Sequence, residues 1–149
     1  MLQGEYIRGD GLVVPNTITN AGAQQILRAA LQSEDWTPFI ALGDCVPETD
    51  LALEDSGEPP VANGYARIPL ARDDVDWPVV GDLNGITFIE SKDVVFTATD
   101  AWPKVTRILL ADAATDGTIL SVSGAFPDLV IDEDTPVLER TWRYRIYMR

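Results

Sequence analysis

Residues 100–122 read DAWPKVTRILLADAATDGTILSV, two apolar runs on either side of a short polar break. The first run, VTRILLADA (105–113), and the second, TILSVSGAF (118–126), have the composition of strands. Between them Ala114-Thr115-Asp116-Gly117 carries the Asp-Gly signal of a tight hairpin. A hairpin that is apolar at nearly every position is either buried on both faces or covered by a second subunit. Val105, Ile108, Leu109, Leu110 and Ala111 offer more apolar surface than one sheet face needs. A homo-oligomer would cover it.

Outward from this hairpin, strand signals recur at short intervals, the mark of a sandwich or barrel. YARIPLA (65–71) alternates, and ITFIE (86–90) and VVFTA (94–98) are β-branched and aromatic. In the closing stretch TWRYRIYMR, Trp142, Tyr144, Ile146 and Met148 face one way, and Thr141, Arg143, Arg145 and Tyr147 the other. TPFIAL (37–42) reads as a short buried strand. Residues 43–63 form a long acidic loop with Glu48, Asp50, Glu54, Asp55 and Glu58, expected to be mobile at its tip. One helix is predicted near 20–33, where Ile26, Leu27, Ala30 and Leu31 make a stripe at helical spacing behind an N-cap at Thr19 or Asn20. Residues 1–15 read as an extended arm with a turn at Gly9-Asp10-Gly11. Leu12, Val13 and Val14 are apolar groups that an isolated arm would not leave in water, so the arm is expected to dock on a neighbouring subunit. The fold class is thus mainly β: an antiparallel, jelly-roll-like β-sandwich over residues 16–149, with one N-terminal helix and an extended N-terminal arm.

Composition narrows the function. A chain of 149 residues, 46 % hydrophobic and 23 % charged, matches one soluble globular domain. Its apolar runs are too short for a spanning helix, and no secretory signal opens it. The single Cys45 cannot form an internal disulfide, which suits a reducing cytoplasm. A formal charge of −13 repels phosphate backbones, so nucleic acid is not an expected partner, and with apolar runs too short to span, neither is a membrane. Four of the few cations, Arg140, Arg143, Arg145 and Arg149, crowd the last ten residues. That strip is either a solvated strand face paired with the protein's own carboxylates or a contact for an acidic neighbour, another copy included.

The inventory of chemistry is short. With no histidine, a Ser-His-Asp triad, a Cys-His pair and a His-based zinc site are excluded, and neither GxxxxGK[ST] nor GxGxxG occurs. Paired carboxylates remain at Asp73-Asp74-Val75-Asp76 and Asp132-Glu133-Asp134, where neighbouring Pro and strand ends favour turn roles over acid–base or calcium chemistry. No cofactor and no metal is implied. Of the four tryptophans, Trp77 in DVDWPVVGD is the best candidate for an exposed aromatic that stacks a sugar.

The order of the motifs says more than any one of them. NTITNAG (16–22) before the helix, Asn63-Gly64-Tyr65-Ala66-Arg67, VVFTAT (94–99) leading to Trp102, and VTRILLADAATDGTIL before a closing strand together resemble a family of small tailed-bacteriophage virion proteins. The resemblance covers roughly residues 16–149, and Pro103 stands where that family usually has Gly after the Trp. It implies a β-sandwich without enzymatic activity, located in the virion, at the capsid surface or in the tail, after synthesis in the host cytoplasm. The expected role is a capsid decoration, or cement, protein that binds the outer shell as a symmetric homo-oligomer, a trimer being the expected form. The partners would be copies of itself and a major capsid or tail protein. Leu12, Val13, Val14, Arg143, Arg145 and Tyr147 are the expected interface residues. The alternatives are a tail fibre, adaptor or baseplate component, or a glycan-binding module for host attachment using Trp77.

Overall fold

A computed structural model describes residues 2–8, 13–19, 36–83, 86–127, 129–131 and 138–148. The strands are β1 (Leu2–Arg8), β2 (Val13–Ile18), β3 (Phe39–Gly43), β4 (Ile68–Pro69), β5 (Val79–Leu83), β6 (Ile86–Glu90), β7 (Val94–Ala98), β8 (Trp102–Val105), β9 (Arg107–Ala111), β10 (Ile119–Ser123), β11 (Leu129–Ile131) and β12 (Leu138–Met148). Two 3-10 turns, Leu53–Asp55 and Val61–Asn63, lie in the acidic loop. The chain is mainly β, and its sheets are antiparallel. Ten strands form one sheet in the order β4-β3-β9-β10-β2-β1-β12-β6-β5 with β7 also on β12, and β11 pairs with β8 apart from them.

The alternation in TWRYRIYMR makes β12 the strand on which the sheet is organised. One of its edges is taken by β1 from Leu2↔Met148 to Arg8↔Trp142. The other is shared by β7 along 138–142 and β6 along 145–148. At the break between those two strands Ser91 holds the ladder together. Its N–H donates to the Tyr144 carbonyl, and its hydroxyl accepts from the Tyr144 N–H, each at 2.8 Å. A side-chain oxygen thus substitutes for the missing strand carbonyl.

Trp142 and Tyr144 point into the main core, with Val94 and Phe96 of β7, Ile40 and Leu42 of β3, and Ile108 and Leu110 of β9. In a flat sheet β3 and β12 would stand roughly 24 Å apart at ordinary strand spacing. Their sharing one core requires the sheet to curl. The same curl brings the Tyr144 hydroxyl of β12 into hydrogen-bond contact with the Ser121 hydroxyl of β10, although β1 and β2 lie between them in the ladder.

The hairpin of β9 and β10 is present, with both faces covered inside the chain. Ile108, Leu110 and Leu120 face the main core, while Leu109, Ala111, Ile119 and Val122 face a second cluster that includes Cys45 and Leu51, with Leu53 and Phe39 packed against it. Full burial of residues such as Leu109, Ile119 and Val122 contributes about 1.5–3 kcal/mol each. The apolar excess of this hairpin is therefore no reason for a second subunit. Residues of the acidic loop are what fold back over that face, and Asp44 N–H donates to the Ser56 carbonyl at 3.1 Å.

Other expectations change. The arm at residues 1–15 is not a free extension. β1 lies between β2 and β12, and β2 between β1 and β10, so both strands are interior to the sheet. The expected Gly9-Asp10-Gly11 turn and the helix near 20–33 lie outside the described residues. YARIPLA keeps only Ile68–Pro69 as strand, and Pro69 has no N–H with which to extend a ladder. VTRILLADA is divided at Thr106, whose N–H donates to the Gly43 carbonyl at 3.0 Å and whose hydroxyl donates to Asp44 Oδ1 at 2.5 Å. There the chain changes sheets, from β8 beside β11 to β9 beside β3.

Candidate functional site

The motifs quoted from the sequence meet at one node. Gly64 ends the Val61–Asn63 turn at φ 84°, and a Cβ there would stand 2.8 Å from Thr99 Oγ1, so both its conformation and the available space demand glycine. The Asn63 carbonyl accepts from Thr99 N–H at 3.0 Å and from Trp102 Nε1 at 2.9 Å. Tyr65 stacks on Phe96 with ring centroids 6.0 Å apart and meets Trp102 edge-on at 5.7 Å. Its hydroxyl donates to Glu58 Oε1 at 2.6 Å and accepts from Leu42 N–H at 3.0 Å. Burial first, and then the Glu58 charge, push the Tyr65 phenol well above its usual range.

Arg67 completes the node. Its Nε and Nη2 grip the two Glu58 oxygens at 2.9 and 2.7 Å, a bidentate pair, and Nη1 donates to the Ala113 and Asp116 carbonyls at 2.8 Å each. The side chains of Arg67 and Glu58 are 4 % and 17 % exposed. The hydrogen bond to Glu58 raises the Arg67 pKa and burial opposes it, so the guanidinium stays charged. The turn it grips is a seven-residue connection between Ala111 and Ile119, longer than the expected tight hairpin. Asp116 and Gly117 there adopt φ 55° and 74°. Asp112 closes the connection, its N–H donating to the Thr118 carbonyl at 3.2 Å and its Oδ1 accepting from Thr118 N–H at 2.7 Å. Beside the node lies an open depression of about 260 Å³. Sequence reasoning missed the Glu58–Arg67 pair. The available signal was Arg67 two residues after the buried Tyr65, on the same inward side of an alternating run.

Arg143 and Arg145 are not an open strip. Glu90, directly across the ladder from Arg145, has a side chain 3 % exposed and binds both. Arg143 Nη1 donates to its Oε1 at 2.9 Å, and Arg145 Nε donates to its Oε2 at 2.8 Å. Arg143 also reaches Asp93 at 3.2 Å. A carboxylate buried by β-sheet packing needs this compensation, so Arg145 is held inward, while Arg143, 43 % exposed, reaches Glu90 from the surface. Of the other expected interface residues, Val13 and Val14 pair with Ile7 and Tyr6 inside the sheet, Tyr147 pairs with Gln3 and Phe88, and Leu12 lies outside the described residues. Through β1 the structure brings Val13 and Arg143 into one ladder row, both opposite Ile7.

Trp77 is half-buried and packs against the main core, so it is not the exposed platform expected of it. Its neighbours serve the turn. Asp73 Oδ1 accepts from Val75 and Asp76 N–H at 3.1 and 2.8 Å, and Asp76 accepts from Ala71 N–H at 2.7 Å and pairs with Lys92. Hydrogen bonding to Lys92, then to Ala71, holds the Asp76 carboxyl below its usual range. Asp132-Glu133-Asp134 lies outside the described residues. Among the described residues no three His, Cys, Asp or Glu side chains gather as a metal site. No protein-family model matches this chain, and no curated protein matches its sequence.

Proposed function

We propose that this chain is a non-enzymatic structural protein of a tailed-bacteriophage particle, most concretely a decoration protein on the outer capsid surface, built as a β-sandwich by the curling of its main sheet. The observation that carries the reading is the convergence of the motifs behind the virion-protein resemblance. Asn63–Arg67, Phe96, Trp102 and the Asp112–Gly117 turn contact one another, and each of their polar groups named above is spent on fixing a loop. Polar groups committed to holding loops in place support a reading in which the chain preserves a shape for contact. A tail component is the second reading, since a rigid β domain serves either location. The glycan reading loses its main support with Trp77 packed on the core.

Mass spectrometry of gradient-purified particles, followed by a low-resolution map with the protein labelled, tests the proposal. The expected result is a fixed number of copies per particle at the shell. Abundant protein in the lysate and none on particles overturns it, and density at the tail alone selects the second reading.

A further inference from the structure

We infer that the depression beside Arg67 is a docking groove for a protein segment that carries lysine or arginine next to a short aliphatic side chain. This deepens the structural reading by naming the chemistry of a partner. The groove's apolar lining comes from Leu53, Val61, Ala66 and Ala114, and Val61 at its rim is 73 % exposed. Its walls are set in advance. Val61 is held in a turn closed by Gly64 N–H on the Val61 carbonyl at 3.1 Å, and the opposite wall is pinned by the two carbonyl contacts of Arg67. Exposed valines occur elsewhere on the surface, but here Val61 adjoins Leu53, Ala66 and Ala114 in one depression, and a contiguous apolar lining favours an apolar contact.

Charge selects the occupant. Glu54 and Asp55, which follow Leu53 in the same turn, and Asp116 on the far wall are all exposed. Arg67, the cation among the lining residues, is saturated by Glu58 and two carbonyls. With Glu58 neutralised by Arg67, the exposed charge on the lining is that of Asp116, and it complements a basic group on the occupant. A second copy is a poor occupant. Lys92, Arg143 and Arg145 are already paired with Asp76 and Glu90, and two chains of formal charge −13 repel.

The test is a titration of the isotope-labelled full chain, followed by amide chemical shifts, with a capped Lys-Val-Lys-Leu-Lys peptide as the probe. Shifts confined to 61–67 and 114–117, with a dissociation constant below about 1 mM at low salt, are expected. Val61→Ser, on an exposed turn, should keep the fold and weaken binding about tenfold, as should replacing Val and Leu of the peptide by Ser. Absence of saturable shifts overturns the inference. So does binding that Val61→Ser leaves unchanged and that spreads to Asp73, Asp74 and Asp100, which would mark indiscriminate attraction to acids. Self-association in sedimentation that Val61→Ser abolishes would make the occupant a second copy and overturn it as well. Failure of the particle experiment leaves this titration unaffected, so the two ideas fail separately.

Discussion

Replacing Arg67 by Met keeps most of the side chain's length and removes its charge and donors. Four hydrogen bonds disappear, two to Glu58 and one each to the Ala113 and Asp116 carbonyls. The Glu58 carboxylate, 17 % exposed, is left with the Tyr65 and Ser56 hydroxyls but no cation. Removing one partner of a buried pair typically costs about 3–5 kcal/mol. Because Glu58 keeps some contact with water, the lower end, about 3 kcal/mol, applies here. For a chain of this size that lowers the thermal midpoint by about 6–12 °C. Urea denaturation of the wild type, Arg67→Met, Glu58→Gln and the double variant gives the coupling, expected to be at least about 1.5 kcal/mol because the double variant strands no charge. Amide exchange supplies a local readout, with acceleration over 112–118 where the guanidinium grips the turn. A loss under about 1 kcal/mol, with additive single effects, would mean that the pair behaves like a solvated surface bridge and that the node is not what fixes these loops.

Burial pushes the Cys45 thiol up to about 11 from 9.0, so at pH 8 its reaction with a disulfide reagent should be roughly a hundredfold slower in the folded chain than in urea. Since the folded value is the raised one, the thiol's contribution to stability is complete below pH 9.0 and is lost as pH rises through about 11. Cys45→Ala should remove that dependence from a pH series of melts. Arg145→Glu sets a second carboxylate against buried Glu90 and should cost about 3–5 kcal/mol in chemical denaturation. Arg143→Ala, at a side chain 43 % exposed, should cost about 0–1 kcal/mol, and equal losses would contradict the burial argument. Deleting residues 1–14 removes β1 and the start of β2 from the interior of the sheet and should abolish the cooperative melt and the β-type circular dichroism. A deleted chain that still melts cooperatively would refute their interior position.

The β9–β10 hairpin was legible because its evidence is local, two apolar runs around an Asp-Gly turn. Its division from β8 was not, since Thr106 has ordinary β propensity and only its contacts with Gly43 and Asp44 mark the change of sheet. The alternation of β12 was readable for Trp142 and Tyr144, yet the partner of Arg143 and Arg145 lies more than fifty residues away at the end of β6. Sequence shows that a strand has a charged face but not which distant acid meets it. The N-terminal segment misled for a related reason. Gly4, Gly9 and Gly11 suggest flexibility, whereas strand formation there depends on edges supplied by β10 and β12. Arg67 was readable as part of a motif, but its purpose depended on Glu58, which sequence placed in a loop.

The pairing of β1 with β12 also has a consequence for synthesis. Leu2 meets Met148 and Arg8 meets Trp142, so closing this ladder spans more than a hundred residues of chain. Such closure is slow, and β12 leaves the ribosome after every other described strand. Until then β1 keeps one edge unpaired, and β6 and β7 lack the strand that joins them to the sheet. A nascent chain in that state exposes the strand edges that chaperones bind and aggregates grow from. A premature stop after residue 137 would hold the protein in that state permanently.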